Sequence, residues 1–352
     1  EIHSGDWSSD VCSSDLLAWI LVGCQPAPLR SARANNDWSR GVRVGSASLN
    51  HPVAMAVDEE GGGTSLLWVA EDDQQRQILR YARLDAACET VVDTVIDVAA
   101  ERPHLPALTR DTRGALHATW LARDGNTYRL YHALLDDTGR LTTGPDPLSP
   151  PGVPVHSHAS VASPEGGIEE FWGAIEGPEP GLYHARLAAD GAIIDPSQPL
   201  GMVGFDPDAA RAADGSLHLV WKGIPEPGRQ SVNYGVFDEV SRTVVGAYEL
   251  AAFGVPTGLV SHRPALGIAG GRAYVFWSIE RRGGGLSQPS AESHYLSFPL
   301  GHPEEAGRPR DVVIPADNHP SYQRVPTAFH VADLAKVDDG AAASRFVYLP
   351  SA

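Results

Sequence analysis

PDAARAADGSLHLVW, residues 207–221, contains the unit of pattern from which the rest of the chain can be read. A proline opens an extended run, Asp214-Gly215 marks a turn, and Ser216-Leu-His-Leu-Val-Trp221 is a β-rich run ending in tryptophan. Glycine beside aspartate tolerates the positive φ of a tight hairpin, so the stretch predicts two antiparallel strands joined by a two-residue turn. The apolar strand recurs as Leu66-Leu-Trp68, Ala115-Leu-His-Ala-Thr-Trp120, Ile168-Glu-Glu-Phe-Trp172 and Ala273-Tyr-Val-Phe-Trp277. The five tryptophans stand 52, 52, 49 and 56 residues apart. A strand centred on tyrosine follows each, at Tyr81, Tyr131, Tyr183, Tyr234 and Tyr295. A fourth strand closes each unit, over 91–98, 141–148, 192–200, 243–250 and 312–315.

Four strands in a repeat of about 50 residues predict an all-β chain folded as a β-propeller of four-stranded blades. The recurring Trp and Tyr are expected between neighbouring blades, because recurrence in every unit favours packing over ligand contact. No convincing long amphipathic helix follows residue 30. Residues 42–49 read as a fourth strand ahead of the first blade, and 326–332 and 345–349 as the first two strands of a sixth. A six-bladed ring over 42–352 is expected, closed by the N-terminal strand so that no sheet edge is left open. No tyrosine strand completes the last blade, which is therefore irregular or cut short.

The chain opens differently. Residues 1–15 hold no Met, Lys or Arg but four acidic residues, Glu1, Asp6, Asp10 and Asp15. Asp6-Trp-Ser-Ser-Asp-Val-Cys-Ser-Ser-Asp-Leu16 resembles the conceptual translation of a sequencing adaptor, so residues 1–16 are expected to be foreign. The run 16–22 is apolar and far below the ~20 residues of a membrane-spanning helix. It suits a signal peptide, of which 17–23 would be the remnant. Leu21-Val-Gly-Cys24 resembles the bacterial lipobox, which implies lipidation of Cys24 and a mature chain of 24–352. Residues 24–41 then form a lipidated polar tether. Gln25, not Asp, resembles the sorting signal for the outer membrane of a Gram-negative envelope. On this reading Cys12 is foreign, Cys24 carries lipid and Cys88 is left without a disulfide partner.

The formal charge of −17, or −13 without the four leader acids, gives no basic stripe for nucleic acid. The expected product is a monomeric, extracytoplasmic protein that meets the membrane only through its lipid, with a glycan or an envelope protein as partner. Histidines recur at the start of the first strand of each blade: His51, His104, His156 and His262, with His158 beside His156, Asp206 in blade four and His319 in the last. Equivalent positions converge on the propeller axis. Imidazoles with a carboxylate there would form a divalent-metal site in the channel or supply acid and base. The bland alternative is that a repeat copies strand-capping residues. His117, His132, His184, His218 and His294 fall inside second or third strands and are expected to pack.

Pro207–Trp221 nearly meets Pro-x-Ala-x-x-x-Asp-Gly-x-Leu-His-x-x-Trp, and in this it resembles the repeats of bacterial sialidase-like propellers. The resemblance covers about 42–350 as a blade pattern. The Asp-box of sialidases is not met, since Ala212-Ala213-Asp214-Gly215-Ser216 lacks its leading Ser and spacing. The family binds a substrate carboxylate with three arginines, and Arg102, Arg263 and Arg324 stand at blade starts, Arg324-Val-Pro326 resembling the family's Arg-Ile-Pro. Its Tyr–Glu nucleophile pair and catalytic Asp have no match here. Guanidinium groups suit an acidic glycan, so Arg102, Arg263, Arg324 and Asp206 are the expected ligand contacts. The leading expectation is binding of a glycan or protein at the channel mouth. The alternative is a carbohydrate-active enzyme, sialidase-like hydrolase or polysaccharide lyase, working through channel His and Arg residues.

Overall fold

The computed structural model describes residues 44–46, 53–58, 61–98, 101–254, 259–261, 263–281, 290–311, 328–336 and 342–349. Cys24 and its flanks, His51, His262, His319 and Arg324 lie outside them. Blade one comprises β1 (Ala54–Val57), β2 (Thr64–Glu71), β3 (Gln77–Leu84) and β4 (Thr90–Ile96). Blade two comprises β5 (Glu101–Arg110), β6 (Leu116–Asp124), β7 (Thr127–Leu135) and β8 (Leu141–Pro147). Blade three holds β9 (Ser157–Ala162), β10 (Ile168–Ala174), β11 (Gly181–Leu187) and β12 (Ile193–Pro199). Blade four holds β13 (Phe205–Arg211), β14 (Leu217–Glu226), β15 (Arg229–Asp238) and β16 (Thr243–Gly254). In each, the strands pair antiparallel in chain order.

The fifth sheet is less regular. β17 (Leu259–Ser261) and β18 (Ala265–Ala269) both pair with β19 (Arg272–Arg281), followed by β20 (Ser290–Pro299) and the two-residue β21 (Arg310–Asp311). β22 (Ala328–Lys336) and β23 (Ala342–Leu349) form a two-stranded sheet beside it. Among the described residues the one helical turn is the 3₁₀ segment Pro303–Glu305. The chain is a β-propeller.

The predicted turn at Asp214-Gly215 is longer than two residues. Ala212 N bonds Ser216 O and Gly215 N bonds Ala212 O, so 213–215 form a three-residue loop with Gly215 at φ 90°. This is a type I turn closed by a left-handed residue, a position glycine fills without steric cost. The same bonds close the turns at 111–115, 136–140, 163–167 and 188–192. Where aspartate leads, as at Asp111 and Asp136, its Oδ1 accepts the backbone N–H groups two and four residues on.

Among the described residues, the tryptophans of blades two to five face the preceding blade. Trp120 packs with Leu67, Val69 and Tyr81 of blade one, and Trp172 with Leu121 and Leu130 of blade two. Trp221 meets Phe171 and Leu182, and Trp277 meets Val220, Val232 and Tyr234. Trp68 is covered by Val44, its indole N–H bonds Ser46 O at 3.0 Å, and a Cβ on Gly45 would stand 2.8 Å from its ring. Residues 44–46 thus take the place of a preceding blade. The tyrosines do not keep one side. Tyr131 and Tyr183 pair directly with Trp120 and Trp172, whereas Tyr81, Tyr234 and Tyr295 pair with the residue before the Trp and point the other way. A one-residue shift of register exchanges faces.

Cys88 is disulfide-bonded, which corrects the expectation of an unpaired thiol. Its partner lies outside the described residues, and the remaining cysteines of the sequence are Cys12 and Cys24. The sequence reading set both aside, one as foreign and one as lipidated.

Candidate functional site

The inner strands β1, β5, β9, β13 and β18 line one central cavity of about 390 Å³. Each inner strand starts at one end of this channel, here termed the mouth, and ends in a turn at the far end. At the mouth the backbone leaves ordinary strand geometry. Arg102, Leu105 and Asp206 all have positive φ, at 52°, 45° and 53°. None is glycine, and such residues persist only where surrounding contacts over-determine them. Register shifts interrupt β5 and β13 at these points.

Asp206 sits at the centre of one cluster. Its backbone N–H donates to Ser157 Oγ at 2.8 Å. The buried Lys222 places Nζ 3.2 Å from Asp206 Oδ2 and 4.5 Å from the centre of the Phe205 ring. His156, half exposed, approaches Asp206 Oδ1 at 3.6 Å and meets Phe205 edge-on. Two residues on, Asp208 lines the cavity. Arg263 Nη2 stands 3.2 Å from its Oδ1, and Leu266 N–H donates to its Oδ2 at 2.7 Å. Burial pushes the Asp208 carboxyl above the ordinary carboxylate range, against the pull of Arg263.

A second group forms the wall of blade three. His158 Nε2 donates to Leu105 O at 2.5 Å, and its Nδ1 lies 2.8 Å from Glu170 Oε1. Ser160 Oγ donates to Glu170 Oε2 at 2.5 Å. A carbonyl only accepts, so Nε2 carries a proton, and one further proton is shared between Nδ1 and the carboxylate. Both side chains are essentially buried, so they hold blade three to blade two more than they offer a surface.

The expected contacts are therefore dispersed. Asp206 and His156 come together, and Arg263 is held by Asp208. His104 packs its ring, tilted, against Tyr128 at 5.6 Å, away from Asp206's cluster. Arg102 is exposed. His51, His262 and Arg324 lie outside the described residues. Among the described residues the group of metal-type donors close enough to share a cation is His302, Glu304 and Glu305, all exposed and set on the 3₁₀ turn. Of the histidines expected to pack, His117, His132, His184 and His218 are buried, each with a polar partner. Sequence reasoning missed Asp208, whose signal was a second carboxylate beyond Pro207 on an inner strand. It also missed Glu169-Glu170, two consecutive acids inside an apolar strand.

No protein-family model matches the chain, and no curated protein does. Solved structures do. A protein of unknown function from Dyadobacter fermentans matches with TM-score 0.53 at 13% identity, over 73% of this chain and 79% of that one. A GH43_1 enzyme from Xanthomonas citri complexed with xylotriose matches with TM-score 0.44 at 15% identity, over 74% and 89%. A GH43 beta-xylosidase/alpha-arabinofuranosidase from a compost microbial metagenome gives 0.43 at 13%, over 74% and 93%. These likenesses are likenesses of fold.

Proposed function

We propose that the protein is a carbohydrate-active enzyme that hydrolyses a glycosidic bond at the channel mouth. One observation carries the reading: Asp206 and Asp208, two residues apart on β13, are each paired with a different cation in different surroundings. Asp206, the less exposed of the two, is paired with Lys222 beside His156, while Asp208, held by Arg263 in the channel wall, has its pKa raised by desolvation. Pairs of acids whose environments diverge supply the acid and base of glycoside cleavage. In this assignment Asp208 gives its proton to the glycosidic oxygen as the C–O bond breaks. Water adds to the anomeric carbon and yields its proton to Asp206. Arg263 orients Asp208, and His156 and Lys222 hold Asp206. Placement at the bacterial envelope belongs to the same proposal.

The test uses the full chain and unactivated oligosaccharides, read by release of reducing ends. Asp208→Asn is expected to lower the rate by about 100-fold or more, with its melting temperature close to wild type. A 4-nitrophenyl leaving group needs no proton, so on nitrophenyl glycosides the loss should shrink. Hydrolysis that survives in Asp208→Asn overturns the assignment. A folded wild type that binds sugars and cleaves none returns the protein to the binding reading.

A further inference from the structure

Beside the channel mouth lies a larger groove, about 1030 Å³, between blades one and two. It is built from the β2–β3 turn, the end of β4 and the starts of β5 and β7, all at the mouth end. We infer that this groove holds the remote units of a neutral oligosaccharide whose reacting bond sits at the channel mouth. The inference rests on the reading above for its sugar chemistry and names the substrate class as chains rather than single sugars.

The lining supports it in three ways. Ile78, Val98 and the half-buried Tyr128 ring give an apolar floor for the C–H faces of a sugar. Arg102 and Asp97 are both exposed and, among the described residues, neither has an ion-pair or hydrogen-bond partner. One donates and the other accepts, which suits hydroxyl groups. The groove's other cation, Arg76, is neutralised by Asp72 at 2.7 Å, so no net charge selects an acidic ligand. On this inference Arg102 meets a neutral glycan, where the sequence reading expected an acidic one. The groove also lies close to the channel. Arg102 lines the first and Leu105 the second, three residues along β5 and so within roughly 10 Å. The left-handed conformations of both residues fix that turn of the wall.

The experiment measures binding by calorimetry with full-length protein carrying Asp208→Asn. Cellohexaose, xylohexaose and laminarihexaose are compared with glucose and xylose. At least one hexasaccharide is expected to bind about tenfold or more tighter than its monosaccharide, and Arg102→Ala or Tyr128→Ala to remove that gain. Arg102 is exposed, so its variant keeps the fold and serves if Tyr128→Ala does not. No gain with chain length, or a gain that survives both substitutions, overturns the inference. If the wild type cleaves sugars while the variants still hold the hexasaccharide, the groove falls and the hydrolase stands. If the variants lose the hexasaccharide and the wild type cleaves nothing, the hydrolase falls and the groove stands.

Discussion

The two ends of the channel handle polar groups in opposite ways. At the far end several charges are held more than once. Asp111 accepts three backbone N–H groups, two within its own turn and Gly167 N of the next blade. Arg83 and Arg110 both reach Asp137, and Arg211 grips Glu239 with two nitrogens while bonding Ala162 O. The buried Glu169 meets His184 at 2.7 Å and Arg186 at 3.2 Å. Positive φ there falls mostly on glycine, with Cys88 and Arg242 as exceptions. At the mouth glycines carry it too, among them Gly125, Gly152, Gly201 and Gly228, but so do Gln75, Arg102, Leu105 and Asp206, at about 1–3 kcal/mol each. Arg102 has no partner among the described residues, and His156 stands half in water. The far end is built to hold blades together. The mouth keeps strain and unspent donors, as a ligand site does.

That contrast can be broken most directly at Glu169. Glu169→Ala leaves His184 and Arg186 facing a buried gap, and is expected to cost about 3–5 kcal/mol. The denaturant midpoint should fall with little change in the slope of the transition. A loss under about 1 kcal/mol would remove the far end's role as a clamp.

Acid should sharpen it next. His132 is buried against His117, Nε2 to Nδ1 at 2.9 Å. Burial first, and the neighbouring imidazole second, lower its pKa from 6.5 to about 3. The unfolded chain therefore takes up this proton before the folded one does. The contribution is intact above pH 6.5 and is lost as pH falls toward 3. At pH 5 the loss is about 2 kcal/mol. Comparing unfolding at pH 7.5 and pH 5 checks it, since His132→Gln should flatten the difference. An unchanged acid limb in that variant would assign the loss to other groups.

The smallest effect belongs to the mouth. Arg102→Ala should change stability by no more than about 0.5 kcal/mol, whatever it does to sugar binding. A loss of several kcal/mol would show Arg102 to be structural and erase the distinction between the ends.

The architecture was legible because Trp and the glycine turns recur at blade spacing, and both obey local rules. The direction of Tyr81 and Tyr234 was not, because register depends on how many residues each turn spends. The loop between Glu71 and Gln77 spends five, and that between Asp124 and Thr127 spends two. The site was legible in part. Asp206 and His156 stood out by position, yet their meeting depends on the break in β13 pairing between Phe205 and Asp208. Asp208 read as one more strand residue, since nothing local reveals that Arg263 lies 55 residues away in sequence but 3.2 Å away in space.

The constant orientation of the tryptophans bears on how such a ring can change in length. Each blade inserts its keystone into the face lent by the one before, and lends the next a face of its own. The heritable module is therefore a socket and a plug together, and a duplication that copies one whole blade preserves every junction. A cut within a blade leaves one socket empty and one plug bare. At the first blade a stretch of chain outside any blade satisfies the plug: Val44 covers Trp68 and Ser46 O accepts its indole N–H.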